Sequence, residues 1–271
     1  MIMGFGLIGI VLFLSYQYFK KADMIPVLVY HRLYTENENI YKGQSDVITV
    51  EAFEKQMKWL QEEGYNTITL GELEDFLNGE REFPRKTVMI QFDDGRLSDY
   101  KYAYPILKKY NHHAIANIIT SRTNRNDGEW DPSKHQFMNW NQIGQIKEVF
   151  ELAGHTHDLH NMGADGKGDM LKETDEAIVA DLIMNRDLLE SPISFVYPFG
   201  HYTSHTIELV KEVGFRMAFT TKSGDVSPGD PIFELQRRGI TPDVTMKEFK
   251  EMASPNTIRN KLLRIKRKLA M

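Results

Sequence analysis

From Pro26 onward, short apolar runs alternate with stretches whose apolar residues recur every three or four positions. Val27–His31 reads as a strand, with Pro26 tolerated at its first position. Val50–Glu63 sets Phe53, Met57 and Leu60 on one helical face and meets a stop at Gly64. Thr87–Phe92 reads as a buried strand that runs into Asp93-Asp94-Gly95. Strand, helix and short strand follow at Ala114–Thr120, Trp140–Val149 and Glu151–Gly154. The pattern continues with a long helix over Thr174–Glu190, a strand over Ile193–Tyr197 and a helix over His205–Val213. Phe215–Thr220 and Leu235–Ile240 close it as strands. This alternation predicts an α/β fold with seven or eight parallel strands, in a sheet that is open or closed into a barrel. In both forms ligands gather at the C-terminal edge of the strands. The polar clusters fall there: His31, Asp93-Asp94, the histidines after Gly154, and Pro198-Phe199-Gly200.

The two ends depart from this pattern. Residues 2–19 are almost wholly apolar, and eighteen residues at about 1.5 Å each span roughly 27 Å, enough for a hydrocarbon core. No small-residue cleavage site follows, so residues 1–21 are expected to be a retained transmembrane signal-anchor. Lys20 and Lys21 lie after the span with no basic residue before it, and on the positive-inside rule this would keep the rest cytoplasmic. At the other end, residues 256–271 carry six Lys or Arg and no acid. Ile258, Leu262, Ile265 and Leu269 fall there at helical spacing, giving a basic amphipathic tail that is either solvated or drawn to an anionic surface. Residues 22–255 then form the folded domain.

Composition narrows the function. The chain has 271 residues, 41% hydrophobic and 26% charged, as in an ordinary globular protein, so disorder and multiple membrane spans are excluded. A formal charge of −5 speaks against a nucleic-acid partner. There is no cysteine, so a metal must sit on His, Asp and Glu.

Asp93-Asp94-Gly95 can be a simple turn with one Asp capping the next helix. Alternatively, the two carboxylates divide labour, one ligating a metal while the other stays free as a base. His155-Thr156-His157-Asp158-Leu159-His160 puts three of the chain's nine histidines within six residues. Position 159 is Leu, so a helical i, i+4 pair with His155 is absent and the useful pair must converge from a loop: 155 with 160, or 155 with 157. Two such histidines plus Asp94 would leave a coordination position open, the catalytic rather than the structural zinc pattern. His31 ends its strand on the same edge and could protonate a leaving group.

These residues resemble a family. Gln91-Phe-Asp-Asp-Gly95 is similar to the Thr-Phe-Asp-Asp-Gly motif of the NodB-like polysaccharide deacetylases, the family 4 carbohydrate esterases. The stretch His155–His160 resembles their second motif, and Tyr197-Pro-Phe-Gly200 their third; the likeness runs through about residues 26–252. Two departures mark a branch. His155 and His160 have four residues between them rather than three, and no histidine follows His205 to supply the usual late catalytic one. Tyr30-His31 stands at the front instead, as in a circularly permuted, distorted (β/α) barrel. Together with Ala103-Tyr-Pro-Ile-Leu-Lys-Lys109, this resembles the biofilm poly-β-1,6-N-acetylglucosamine N-deacetylases.

The resemblance implies a metal-dependent hydrolase that removes N-acetyl groups from that polymer. Asp94, His155 and His160 would hold one divalent cation, Zn2+ first, with Co2+, Ni2+ or Fe2+ as alternatives. Asp93 would be the general base, His31 the acid, and the backbone N–H of Phe199 an oxyanion donor. Val196 stands where the family's third motif usually has a base-orienting Arg, and Arg237 is the expected substitute. His157 takes no metal role. An exported substrate implies a single-pass membrane protein with its domain outside the cell, against the Lys20-Lys21 argument. Peptidoglycan or chitin-type substrates, or a non-catalytic polysaccharide-binding protein, are the competing readings.

Overall fold

The computed structural model describes residues 21–38, 41, 43–125 and 129–254. The expected anchor (1–21, apart from Lys21) and the expected basic tail (256–271) lie outside that set. Among the described residues no helix is long and apolar enough to cross a membrane.

The chain opens with β1 (Ile25–Tyr30), every residue buried, then β2 (Arg32–Tyr34) and β3 (Val47–Thr49), which pair with each other in a small separate sheet. Helix α1 (Val50–Glu62) follows, its N-terminus capped by Thr49, whose hydroxyl accepts from Ala52 N–H. Next come β4 (Asn66–Thr67), α2 (Leu70–Asn78) and the eight-residue β5 (Thr87–Asp94). A π-helical turn over Asp99–Ala103 leads into α3 (Tyr104–Lys109). The succession continues as β6 (Ala114–Ile118), α4 (Trp140–Ile146), β7 (Phe150–Gly154), α5 (Asp175–Leu188) and β8 (Ser194–Val196). It ends with α6 (Ser204–Glu212), β9 (Met217–Ser223), β10 (Asp225–Val226), β11 (Leu235–Gly239) and α7 (Met246–Ala253).

Seven strands close on themselves. The order β1-β11-β9-β8-β7-β6-β5 returns to β1 through parallel pairing of Val27 with Met89 and Tyr30 with Phe92, and all seven are parallel. Short β4 and antiparallel β10 add to the outside of this ring. The barrel expectation is met, with edges shifted: β5 runs on to Asp94 and β9 to Ser223. His31 lies one residue beyond β1, the strand at Ala114 stops at Ile118, and the helix at Trp140 ends at Ile146. The pattern does not predict β2, β3, β4, β10, α2, α3 or α7.

Strand alternation sorts the side chains into layers. Val27, Met89, Ile115, Ala153, Phe219 and Leu235 pack in one apolar cluster with Leu70, Leu73 and Phe76 of α2, which fills the lower barrel. The opposite faces, Leu28, Tyr30, Ile90 and Phe92, pack with Phe53, Met57 and Leu60 of α1. Two residues above Met89, Ile115 and Leu235 on the inward face come Gln91, Asn117 and Arg237. Polar residues thus begin where the apolar filling stops, and the register aligns Asp94, Ile118 and Gly154 across β5, β6 and β7.

Gly154 is required by packing. A Cβ there would lie 2.7 Å from Asn185 Oδ1 and 3.0 Å from the Phe215 ring. Gly154→Ala should therefore destabilise the domain by about 1–3 kcal/mol, the usual cost of overpacking, as read by chemical denaturation. An unchanged denaturation midpoint would show that the space above β7 is not closed.

Candidate active site

Asp93, the seventh residue of β5, follows Met89 and Gln91 on the inward face and is 2% exposed. Its Oδ1 accepts from Arg237 Nη1 at 2.8 Å and from Asn117 Nδ2 at 2.7 Å. Arg237 is held in turn, donating from Nη1 to Gln91 Oε1 at 3.1 Å and from Nε to Thr220 O at 3.0 Å. A register shift between Leu235 and Arg237 where β11 pairs with β9 sets the arginine at this height. Burial pushes the Asp93 carboxyl up, but the charge of Arg237, then those of His31 and His155, more than offset it and leave it at about 2. Oδ2 stands 3.7 Å from Nε2 of His31, a side chain one-third exposed at the rim.

Asp94 turns away from its neighbour because its backbone is left-handed, with φ 81°, followed by Gly95 at φ 73°. Asp99 Oδ2 accepts from Arg96 N–H at 3.1 Å and closes this turn. Arg96 then folds back, with Nε and Nη2 at 3.0 and 2.6 Å from Asp94 Oδ2 and its guanidinium 4.5 Å from the Phe137 ring centroid. Burial again raises the carboxyl, while Arg96 and then His160 hold it well below the usual carboxylate range.

Asp94 Oδ1 is thereby left facing two histidines, at 3.7 Å from His155 Nε2 and 3.6 Å from His160 Nε2. The two Nε2 atoms are 3.0 Å apart, and all three side chains are buried. His155 Nδ1 donates to Val196 O at 2.8 Å, since a carbonyl can only accept, so its Nε2 carries a bare lone pair when neutral. Burial, followed by the proximity of His155, pushes His160 down to about 3, so it too is neutral. Its Nδ1 is buried without a hydrogen-bond partner. Edges of 3.0, 3.6 and 3.7 Å are close to the roughly 3.3–3.6 Å expected for ligands about 2.0–2.2 Å from one tetrahedral ion. Lone pairs converging at this distance, beside an anion, fit a divalent cation. Among the described residues this is the one such group of His, Asp and Glu.

The structure separates the two histidine pairings that the sequence left open. His157 Nδ1 pairs with Thr120 Oγ1 at 2.9 Å, while His155 and His160 meet. Phe199 has a left-handed backbone, φ 57°, and its ring lies 4.6 Å from that of His160. Gly200, at φ 72°, would place a Cβ 2.0 Å from Thr221 Oγ1, so this turn tolerates only glycine. Sequence reasoning passed over Gln91, Arg96 and Asn117. The first and last carried a usable signal, as polar residues at inward positions of otherwise apolar strands.

The fold and site can be set beside known proteins. Residues 80–218 match the family model described as polysaccharide deacetylase. The chain is 28% identical over 242 residues to poly-beta-1,6-N-acetyl-D-glucosamine N-deacetylase of Staphylococcus aureus, covering 85% of this chain and 78% of that one. It is also 28% identical over 232 residues to the putative polysaccharide deacetylase YxkH of Bacillus subtilis, covering 85% and 76%. Among solved structures, IcaB from Ammonifex degensii superposes with a TM-score of 0.73 at 27% identity, covering 86% of this chain and 98% of that one. The Streptococcus pyogenes deacetylase PplD, in complex with acetate, has a TM-score of 0.74 at 23% identity over 86% and 99%, a likeness of fold. The family match takes in β5 with both aspartates, the His155–His160 loop and the Pro198–Gly200 turn, and leaves His31 and Arg237 outside it. On that match the chain belongs to the NodB-like polysaccharide deacetylases and is an enzyme of that class.

Proposed function

We propose that this enzyme removes N-acetyl groups from poly-β-1,6-N-acetyl-D-glucosamine, releasing acetate and leaving cationic glucosamine units in a biofilm exopolysaccharide. The observation that carries the chemistry is the juxtaposition at one strand end. An anionic carboxylate, with one oxygen unclaimed by Arg237 and Asn117, stands beside a buried Asp-His-His triad and 3.7 Å from an imidazole at the rim. The likeness to the named Staphylococcus aureus enzyme supports the choice of polymer.

Asp94, His155 and His160 would hold the cation, and two imidazoles with one carboxylate suit Zn2+ first, with Co2+, Ni2+ or Fe2+ also accommodated. When bound there, a divalent cation supplies Lewis acidity, polarising a carbonyl and acidifying water enough for a base as weak as Asp93. Asp93 accepts the proton on Oδ2 as the nucleophilic water attacks the acetamide carbon. Arg237 and Asn117 fix Oδ1, so the carboxylate cannot rotate away. The backbone N–H of Phe199 donates to the developing oxyanion. His31, partly exposed at the rim, protonates the departing amine, and solvent access lets it recover a proton for the next turnover.

Acetate release from oligomers of poly-β-1,6-N-acetylglucosamine, chitin and peptidoglycan should be fastest on the first. Faster release from either of the others would overturn the polymer assignment, and no release from any of them by the metal-loaded chain would overturn the deacetylase reading. The role of His31 is separable by leaving group. An amide nitrogen must be protonated to depart, whereas an aryl oxide needs little help. His31→Ala should lose about 10²–10⁴-fold on the polymer and far less on an aryl acetate, with metal content unchanged. Equal losses on both substrates would make His31 structural.

A further inference from the structure

We propose that Asp181 and Asn185, one turn apart on α5, are positioning residues that hold the His155–His160 loop in its cation-binding form before any ion arrives. Asp181 Oδ1 accepts from His157 N–H at 2.7 Å, and its Oδ2 accepts from Asp158 N–H at 2.6 Å and Leu159 N–H at 3.1 Å. One carboxylate thus gathers three successive amides, and these residues separate the two ligating histidines. Asn185, fully buried, donates from Nδ2 to Thr156 O at 2.6 Å, Ile118 O at 3.0 Å and Thr120 Oγ1 at 3.1 Å. It ties the loop to the end of β6.

The loop needs such a grip. Thr156 is β-branched yet left-handed at φ 69°, a conformation that costs of order 1–3 kcal/mol and persists only where the surroundings over-determine it. Its carbonyl is the one that Asn185 holds most closely. Four intervening residues between two ligands make a longer, looser loop, and Asp181 occupies the three amides that would otherwise face solvent or one another. Helix α5 is fastened to the barrel by Ile178 and Leu182, and by Leu189 just past its end, so the clamp stands on a packed element. From the other side, Arg122 Nη2 donates to His160 O at 2.6 Å and Ser121 N–H to His157 O at 2.9 Å.

This role rests on the assignment of Asp94, His155 and His160 as the cation site, and the test keeps the two apart. The full chain, freed of metal, is titrated with Co2+ and followed by visible absorption. Saturable binding by the wild-type chain that is lost in His160→Ala establishes the site; no binding by the wild type defeats the site assignment itself. Given binding, Asp181→Asn presents an amide NH2 to backbone donors and should weaken Co2+ affinity by about 10–100-fold, the usual effect of removing a ligand-orienting partner. Asp181→Glu, which keeps the charge and both acceptor oxygens, should recover a large part of that loss. Wild-type affinity in Asp181→Asn would overturn the proposal. Should that variant not fold, amide exchange in the wild type decides. Protection of the 157–159 amides without metal is expected, and protection gained only on adding Co2+ would show that the ion, not α5, organises the loop.

Discussion

Two adjacent carboxylates buried at the end of one strand must both be anionic, and the rest of the site is arranged around that constraint. Like charges this close ordinarily keep one carboxyl protonated. Here each is given its own guanidinium from a different direction: Arg237, from β11 two strands away in the ring, on Asp93, and Arg96, folded back from the following turn, on Asp94. The left-handed backbone at Asp94 sends the two side chains apart, so the two ion pairs do not compete. Each arginine claims one oxygen and leaves the other for chemistry. On the proposed reading, a base and a ligand are made from neighbouring residues of the same type.

The barrel makes this arrangement possible. Its lower interior is filled with apolar side chains and plugged by α2, so the polar residues one step higher on β5, β6 and β11 find partners chiefly in one another. Gln91, Asn117, Arg237 and Asp93 bond to one another in that buried layer, where an unpaired arginine would be costly. Gln91 stands where the related motif has Thr, and it reaches Arg237, whereas Val196 stands where the related motif has an arginine.

Much of this was legible from residue order. A hydrophobic strand ending in two aspartates and a short strand ending in a histidine cluster mark an edge, and a parallel α/β fold brings such edges together. Arg237 could be named only through the family resemblance, as a substitute for the arginine that Val196 displaces, because nothing in Leu235–Gly239 announces a partner on β5. Arg96, Asp181 and Asn185 look like ordinary turn or helix-surface residues, and their importance arises from tertiary meetings that periodicity does not encode. The choice between His157 and His160 was equally undecidable from spacing, since a left-handed Thr156 determines which ring turns inward. Strands β2 and β3 are three residues each, too short to show alternation. Helix α2 does carry a regular spacing in Leu70, Leu73, Phe76 and Leu77, but a two-residue strand before it hides the unit it belongs to.

The most direct test of the central claim, that Asp93 is an anionic base separate from the cation site next to it, is acetate release by Asp93→Asn loaded with metal. The amide can still accept from Arg237 through its oxygen, so the fold and the Asp94-His155-His160 triad should survive, with metal content equal to that of the unaltered chain. Turnover on the N-acetylglucosamine polymer should fall by about 10²–10⁴-fold, because an amide cannot take up the proton. Near-normal acetate release, or loss of the metal together with the activity, would contradict the division of labour between the two aspartates.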